Sequence, residues 1–198
     1  MKAFSNTFIH HWYDFIETFI LRDYEYIIKT LEPLLTLSEE MVLLDIGGGT
    51  GKILEYFASQ VKTPINMDYS REMLTHASSR ILKLQADSSF IPLINKCVDK
   101  VFLIHVLHHI DTDYHINVLE EIYRILKTRG SCYLFDLYYP STFLNSLYTR
   151  IEEFSVGKTY HIPSESLCSL LRTIGFQNIT TTYTDQKRWR YVVFCMKK

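Results

Sequence analysis

Residues 42–53 read VLLDIGGGTGKI, and four of the chain's seven glycines fall within five positions of that run. Glycine tolerates the left-handed backbone and lets another group approach the main chain closely, so such a run ends a strand in a sharp turn with its backbone bare. The strand ahead of it, Met41–Ile46, is apolar throughout except for Asp45. Strands of that composition are buried on both faces, as in a parallel sheet. A glycine turn and a carboxylate must therefore sit together at the end of a buried strand.

The rest of the chain repeats strand and helix. Lys52–Gln60 has helical spacing, Pro64–Asp68 is extended, Ser70–Ser78 is helical and Ile81–Ala86 extended, which is a βαβαβ order. Val101–Val106 is a second apolar strand. Asp113–Leu126 puts Ile116, Leu119, Ile122 and Leu126 on one helical face, ahead of Lys127, Arg129 and a stop at Gly130. Cys132–Leu137 supplies a fifth strand, and Ser164–Ile174 is a helix stopped by Gly175. Gln177–Thr184 and Arg190–Met196 flank DQKRW as a closing antiparallel hairpin, while Phe8, Trp12, Phe15 and Phe19 mark a helical arm over Phe8–Leu35. The expected fold is α/β: a doubly wound, Rossmann-like, seven-stranded and mostly parallel sheet with an antiparallel C-terminal hairpin and an N-terminal helical arm. With no repeat or linker, residues 1–198 read as one domain, comprising the arm (1–35), a core (41–137) and a lid segment, helix and hairpin (138–198).

Lys+Arg 21 against Asp+Glu 22 gives a formal charge of −1, so bulk attraction to nucleic acid or anionic membrane is not expected and the substrate should be small. Four cysteines without a CxxC pair argue against a disulfide framework and a zinc site and fit a reducing, cytoplasmic setting. No apolar run approaches the ~18 residues that span a bilayer, and none resembles a signal peptide.

Three ligands compete for the glycine loop. A P-loop would need glycine at Ile46 and a hydroxyl at Ile53, so that reading fails. A dinucleotide fingerprint starting at Gly47 would need its third glycine at Lys52 and matches in part. The remaining pattern is Gly47-x-Gly49-x-Gly51 preceded by Asp45. A buried carboxylate repels a pyrophosphate but attracts a ligand with a sulfonium and an ammonium group, such as S-adenosylmethionine. Asp68 follows Gly47 by the span a βαβ unit needs to return a second carboxylate to the same ligand.

Beyond the loop, about 150 residues resemble the class I S-adenosylmethionine-dependent methyltransferases. INMDYSREML resembles the family's second motif, which implies that Asp68 holds the ribose hydroxyls while Tyr69 and Met73 pack on adenine. LQADSSFIPL is similar to the adenine-edge motif, with Asp87 and the Ser88 N–H at the ring. FLIHVLHHI is similar to the fourth motif as it occurs in the ubiquinone and menaquinone C-methyltransferase branch, and implies that the His105 carbonyl meets the ammonium. IPSESLCSLLRTIGFQNI and the hairpin resemble the C-terminal end of that branch. Asp45 and the glycines Gly47, Gly48, Gly49 and Gly51 complete the cofactor site, and Tyr13 in HHWYDF matches an arm tyrosine that touches the cofactor carboxylate.

The activity implied is methyl transfer to a small acceptor by in-line displacement, leaving S-adenosylhomocysteine. Alignment in a dry site supplies much of the rate, and a base is needed only where the acceptor loses a proton. His108 and His109 are the candidate catalytic residues, followed by Tyr13 and His161; a buried structural histidine is the plain alternative for either. A metal site among His105, His108, His109, His115, Asp111 and Asp113 lacks the spacing of a helical ligand pair and is not expected. Asp68 and Asp87 have a plain alternative too, as helix caps. Trp12, Tyr13, Tyr138, Tyr139, Tyr148 and Tyr160 come from the two segments expected to roof the crevice, and Lys187–Arg190 reads as a solvated turn. The chain has no Pro-Pro pair, which disfavours a DNA adenine target. Two other readings remain: a nicotinamide-dependent oxidoreductase, and a non-catalytic methyltransferase-like activator subunit.

Overall fold

A computed structural model describes residues 24–137, 160, 162–186 and 189–198. Its sheet contains β1 (Val42–Ile46), β2 (Thr63–Asp68), β3 (Leu82–Gln85), β4 (Val98–Ile104), β5 (Leu126–Leu137), β6 (Gln177–Gln186) and β7 (Trp189–Lys197). The spatial order is β3-β2-β1-β4-β5-β7-β6. The first five strands pair in parallel, and β7 runs antiparallel to both β5 and β6. This is the expected seven-stranded, mostly parallel sheet with its antiparallel C-terminal pair. β1 and β4 are neighbours at its centre.

Side-chain alternation divides the core into two layers. Leu44, Ile46, Val101 and Leu103 face α3 (Thr112–Ile125) and α4 (Ser164–Ile174), which contribute Val118, Leu119, Ile122, Leu167 and Leu171. Leu43, Phe102, Ile104 and Phe135 face the other way, onto Leu54 and Phe57 of α1 (Lys52–Phe57) and onto a helical segment over 24–31. That segment docks through Ile27 and Leu31, both fully buried, each worth ~1.5–3 kcal/mol of apolar burial. It is the described end of the expected arm. The remainder of the arm, with Trp12 and Tyr13, lies outside the described residues, as do Tyr138, Tyr139, Tyr148, His161, Lys187 and Arg188.

One boundary differs from expectation. Gly130 does not stop α3: the helix ends at Ile125, Leu126 is already extended, and the chain enters β5 directly. Residues 127–130 instead fill a register shift opposite Val98 and Lys100, with Arg129 at φ 69°. A Cβ on Gly130 would stand 2.8 Å from the Lys127 carbonyl oxygen, so glycine is set there by a bulge inside a strand rather than by a helix end. Sequence pattern does not separate these two uses of glycine.

Candidate active site

The carboxyl ends of β1, β2 and β4 meet where the strand order reverses, since β2 lies on one side of β1 and β4 on the other. In an open parallel sheet that reversal opens a crevice. The glycine loop leaves β1 there and is tied to β2, because the Gly47 and Gly48 N–H groups both donate to the Met67 carbonyl, at 2.7 and 3.3 Å. Gly51, whose N–H closes the turn onto the Gly48 carbonyl at 2.8 Å, precedes α1 as its N-cap. On the β4 side, a Cβ at Gly47 would overlap Val106 at 2.5 Å, so the two loops are packed together.

Two glycines show what the loop accommodates. A Cβ on Gly48 would stand 2.3 Å from Asn66 Oδ1 and 2.6 Å from Asp45 Oδ2, so this residue is bare in order to lie on buried polar groups. Gly49, at φ 56°, has nothing within 4 Å of a built Cβ and faces open space. The first is a packing constraint, the second an approach surface.

Beneath the loop lie Asp45, 2% exposed, and Asn66, fully buried. Asn66 Nδ2 donates to the Gly49 carbonyl at 2.8 Å. Asp45 Oδ1 and Asn66 Oδ1 have no hydrogen-bond partner among the described residues. Burial, with the negative charge of Asp68 added, pushes the Asp45 carboxyl up to about 8. Two orphaned oxygens in one dry spot fit a cationic ligand group, whose charge would draw the proton off Asp45.

Asp68 is not a helix cap. Its Oδ2 accepts the Gly49 N–H at 2.9 Å and its Oδ1 accepts the Ser70 N–H at 2.7 Å, while Ser70 itself caps α2 (Arg71–His76) by accepting from the Met73 N–H. Each carboxylate oxygen keeps further acceptor capacity. Tyr69 is exposed and Met73 half-buried on the first turn of α2. Asp87 is exposed and Ser88 half-buried; Asp87 Oδ1 accepts the Ser89 N–H at 2.8 Å and so organises its own turn.

The other wall follows β4. His105 turns the chain off the strand in the left-handed region, at φ 55°, with its N–H donating to the Phe135 carbonyl at 2.8 Å. Its ring lies 5.5 Å from both the Phe135 and Tyr191 rings, and desolvation holds it down to about 4, so it is neutral. His108 is buried on the following turn, Leu107–His109. Its Nδ1 is hydrogen-bonded to Asp136 Oδ1, and its backbone N–H donates to Asp136 Oδ2 at 3.3 Å. His109 is exposed, with its ring centroid 3.9 Å from that of His108.

His115 and Asp111 belong to the scaffold. His115 Nε2 bridges the Leu107 and Ile110 carbonyls at 3.0 and 2.8 Å, and Asp111 caps α3 by accepting the Asp113 N–H. His105, His108 and Asp136 offer ligating atoms within 4.8 Å of one another. The direct bond between His108 Nδ1 and Asp136 Oδ1 uses one of these atoms from each residue.

Residues 44–134 match the family described as Methyltransferase domain, a segment that holds the glycine loop, Asp68, Asp87 and the His105–His109 turn. In this segment and in its fold the chain is similar to the class I S-adenosylmethionine-dependent methyltransferases. The demethylmenaquinone methyltransferase of Chlamydia trachomatis is 27% identical over 136 residues, covering 63% of this chain and 58% of the relative. The chain thus spans less than two thirds of that curated relative. A methyltransferase structure from Archaeoglobus fulgidus superposes with a TM-score of 0.76 at 17% identity, covering 94% of this chain and all of that one. A phosphoethanolamine N-methyltransferase of Haemonchus contortus, solved with S-adenosylhomocysteine, gives 0.69 at 16% identity, covering 89% of this chain and 52% of that one.

The cofactor of this methyltransferase family is S-adenosylmethionine, and the orphaned Asp45 oxygen and the open face of Gly49 fit it. Asn66 and Asp136 escaped the sequence reading. Both are polar residues inside apolar strands, the same signal that singled out Asp45. No helix among the described residues is long and apolar enough to cross a membrane.

Proposed function

We propose that this methyltransferase methylates a small-molecule acceptor, with the cofactor in the β1/β4 crevice and the acceptor beside His108 and His109. The observation that carries this reading is the pairing of an open glycine face, backed by an orphaned buried carboxyl group, with a buried histidine on the loop packed against it. Asp45 and the His105 carbonyl would hold the ammonium, Gly47, Gly48, Gly49 and Gly51 the methionine chain, and Asp68 the ribose. Tyr69, Met73, Asp87 and Ser88 would hold the adenine, and Tyr13 the carboxylate.

S-Adenosylmethionine supplies an already activated methyl group when bound. What this chain must add is alignment, exclusion of water and a place for the acceptor's proton. His108 is the better placed of the two histidines to take that proton, since Asp136 orients it, and His109 flanks it.

Calorimetric titration with S-adenosylhomocysteine tests the cofactor half. Binding that is tight in the wild type and at least ~10-fold weaker in Asp68→Ala is expected, the loss of one charge-assisted hydrogen bond. A wild-type protein that does not bind it would refute the reading. Labelled methyl incorporation from S-adenosylmethionine into fractionated metabolites identifies the acceptor.

A further inference from the structure

We propose that Asp136 is a positioning residue that fixes His108 as the Nδ1–H tautomer, making Nε2 the atom that receives the acceptor's proton. This rests on the methyltransferase reading of the site and deepens it. Nothing in the 44–134 family match reaches Asp136.

The turn carrying His108 is held from three sides. Asp136, on β5, takes both the His108 N–H and its Nδ1. His115, on α3, bridges the carbonyls of Leu107 and Ile110 at either end of the turn. Tyr160 donates its N–H to the His108 carbonyl at 2.7 Å. His115 and Tyr160 hold the backbone of the turn and Asp136 holds the ring, which sets the orientation that a reacting geometry needs.

The chemistry follows from what each ring nitrogen can do. A carboxylate accepts, so the Nδ1 facing Asp136 carries the hydrogen and Nε2 has the lone pair. The reaction then balances. The acceptor's proton passes to Nε2, the electron pair left on the acceptor forms the new bond to the methyl carbon, and the carbon–sulfur bond breaks to leave a neutral thioether. The imidazolium so formed lies against the Asp136 carboxylate and returns its proton to water. Among the described residues, two further imidazoles face His108: His105, whose ring centroid is 6.1 Å away at the end of β4, and His109. Burial keeps His105 neutral, so it does not oppose the charge that develops.

The test is nitrogen NMR of protein labelled at its eight histidines, with the His108 resonances assigned by their loss in His108→Gln. The wild type should have Nδ1 protonated and Nε2 unprotonated at pH 7.5. Asp136→Asn should move His108 toward the Nε2–H form and lower its pKa by about 1–3 units, the usual reach of a neighbouring opposite charge; Asp136→Glu should restore both in part. A wild-type His108 carrying its hydrogen on Nε2 would overturn the proposal, as would an Asp136→Asn spectrum and titration unchanged from wild type. Stoichiometric Zn²⁺ uptake that shifts the His105 and His108 nitrogens together would also overturn it. Should Asp136→Asn fail to fold, the wild-type tautomer alone decides. Titration with S-adenosylhomocysteine runs in parallel, and Asp136→Asn should bind it within about threefold of wild type. If the wild type does not bind it, the methyltransferase reading fails, whatever tautomer His108 adopts.

Discussion

Asp68 Oδ2 accepts the backbone N–H of Gly49 at 2.9 Å, so the carboxylate that ends β2 and the barest point of the glycine loop form one unit. A ligand lying against Gly49 necessarily meets Asp68. The bond also divides the roles of Asp68 between fixing the loop and meeting the ligand.

Asp68→Asn separates those roles. The amide can keep one acceptor oxygen but loses the charge, and its NH₂ opposes either the Gly49 or the Ser70 N–H. A stability loss of ~1–2 kcal/mol is expected from the unmet donor, together with a fall in S-adenosylhomocysteine affinity of ~10-fold or more. Denaturant melts measure the first and calorimetry the second. Unchanged affinity would leave Asp68 a loop clamp only.

Asp45 predicts a pH dependence. Its folded carboxyl is raised from the ordinary 3.8 to about 8, so between those limits the folded protein holds a proton that the unfolded chain has lost. Stability from this group therefore falls as pH rises, by ~1.4 kcal/mol per unit at most. His105 is lowered from 6.5 to about 4, and its contribution falls as pH drops through that window. The two slopes oppose below pH 6.5, leaving Asp45 alone above it. Ligand-free protein should lose stability from pH 6.5 to 8, and Asp45→Asn should abolish that loss. A variant that retains the slope would refute the assignment.

Much of this was legible in the sequence because it follows from period and burial. The continuous apolar character of β1 and β4 predicts central parallel strands, and the spacing from Gly47 to Asp68 brings two carboxylates to one loop. What was not legible depended on pairings across the sheet. Asp136 meets His108 only because β5 lies beside β4, and Asn66 lies under Gly48 only because β2 lies beside β1. Gly130 was misread because a bulge and a helix stop both call for glycine. His115 resembled a ligand until the turn whose carbonyls it bridges was in place.

Gly48 and Gly49 should respond oppositely to an added methyl group. In Gly48→Ala the Cβ would overlap two buried polar side chains, so ~1–3 kcal/mol of stability should be lost. In Gly49→Ala there is room, and the left-handed backbone adds ~1–2 kcal/mol, but the methyl projects into the proposed ligand path. Affinity for S-adenosylhomocysteine should fall further than stability. Full affinity in Gly49→Ala would mean that the ligand does not approach this face.

His115 tests whether the histidine cluster is scaffold. Its ring is buried, with Nε2 shared between the Leu107 and Ile110 carbonyls, and both lie on the turn that presents His108. Removing the ring leaves a cavity and takes the side-chain donor from the Ile110 carbonyl, while the Leu107 carbonyl keeps the Ile110 N–H. His115→Ala should therefore cost ~2–4 kcal/mol of stability in denaturant melts. Affinity for S-adenosylhomocysteine should change little, because the glycine loop and Asp68 are bonded to one another and to the Met67 carbonyl, whereas methyl transfer should slow as His108 loses its fixed position. A variant with wild-type stability but weakened cofactor binding would move His115 out of the scaffold and into the ligand site.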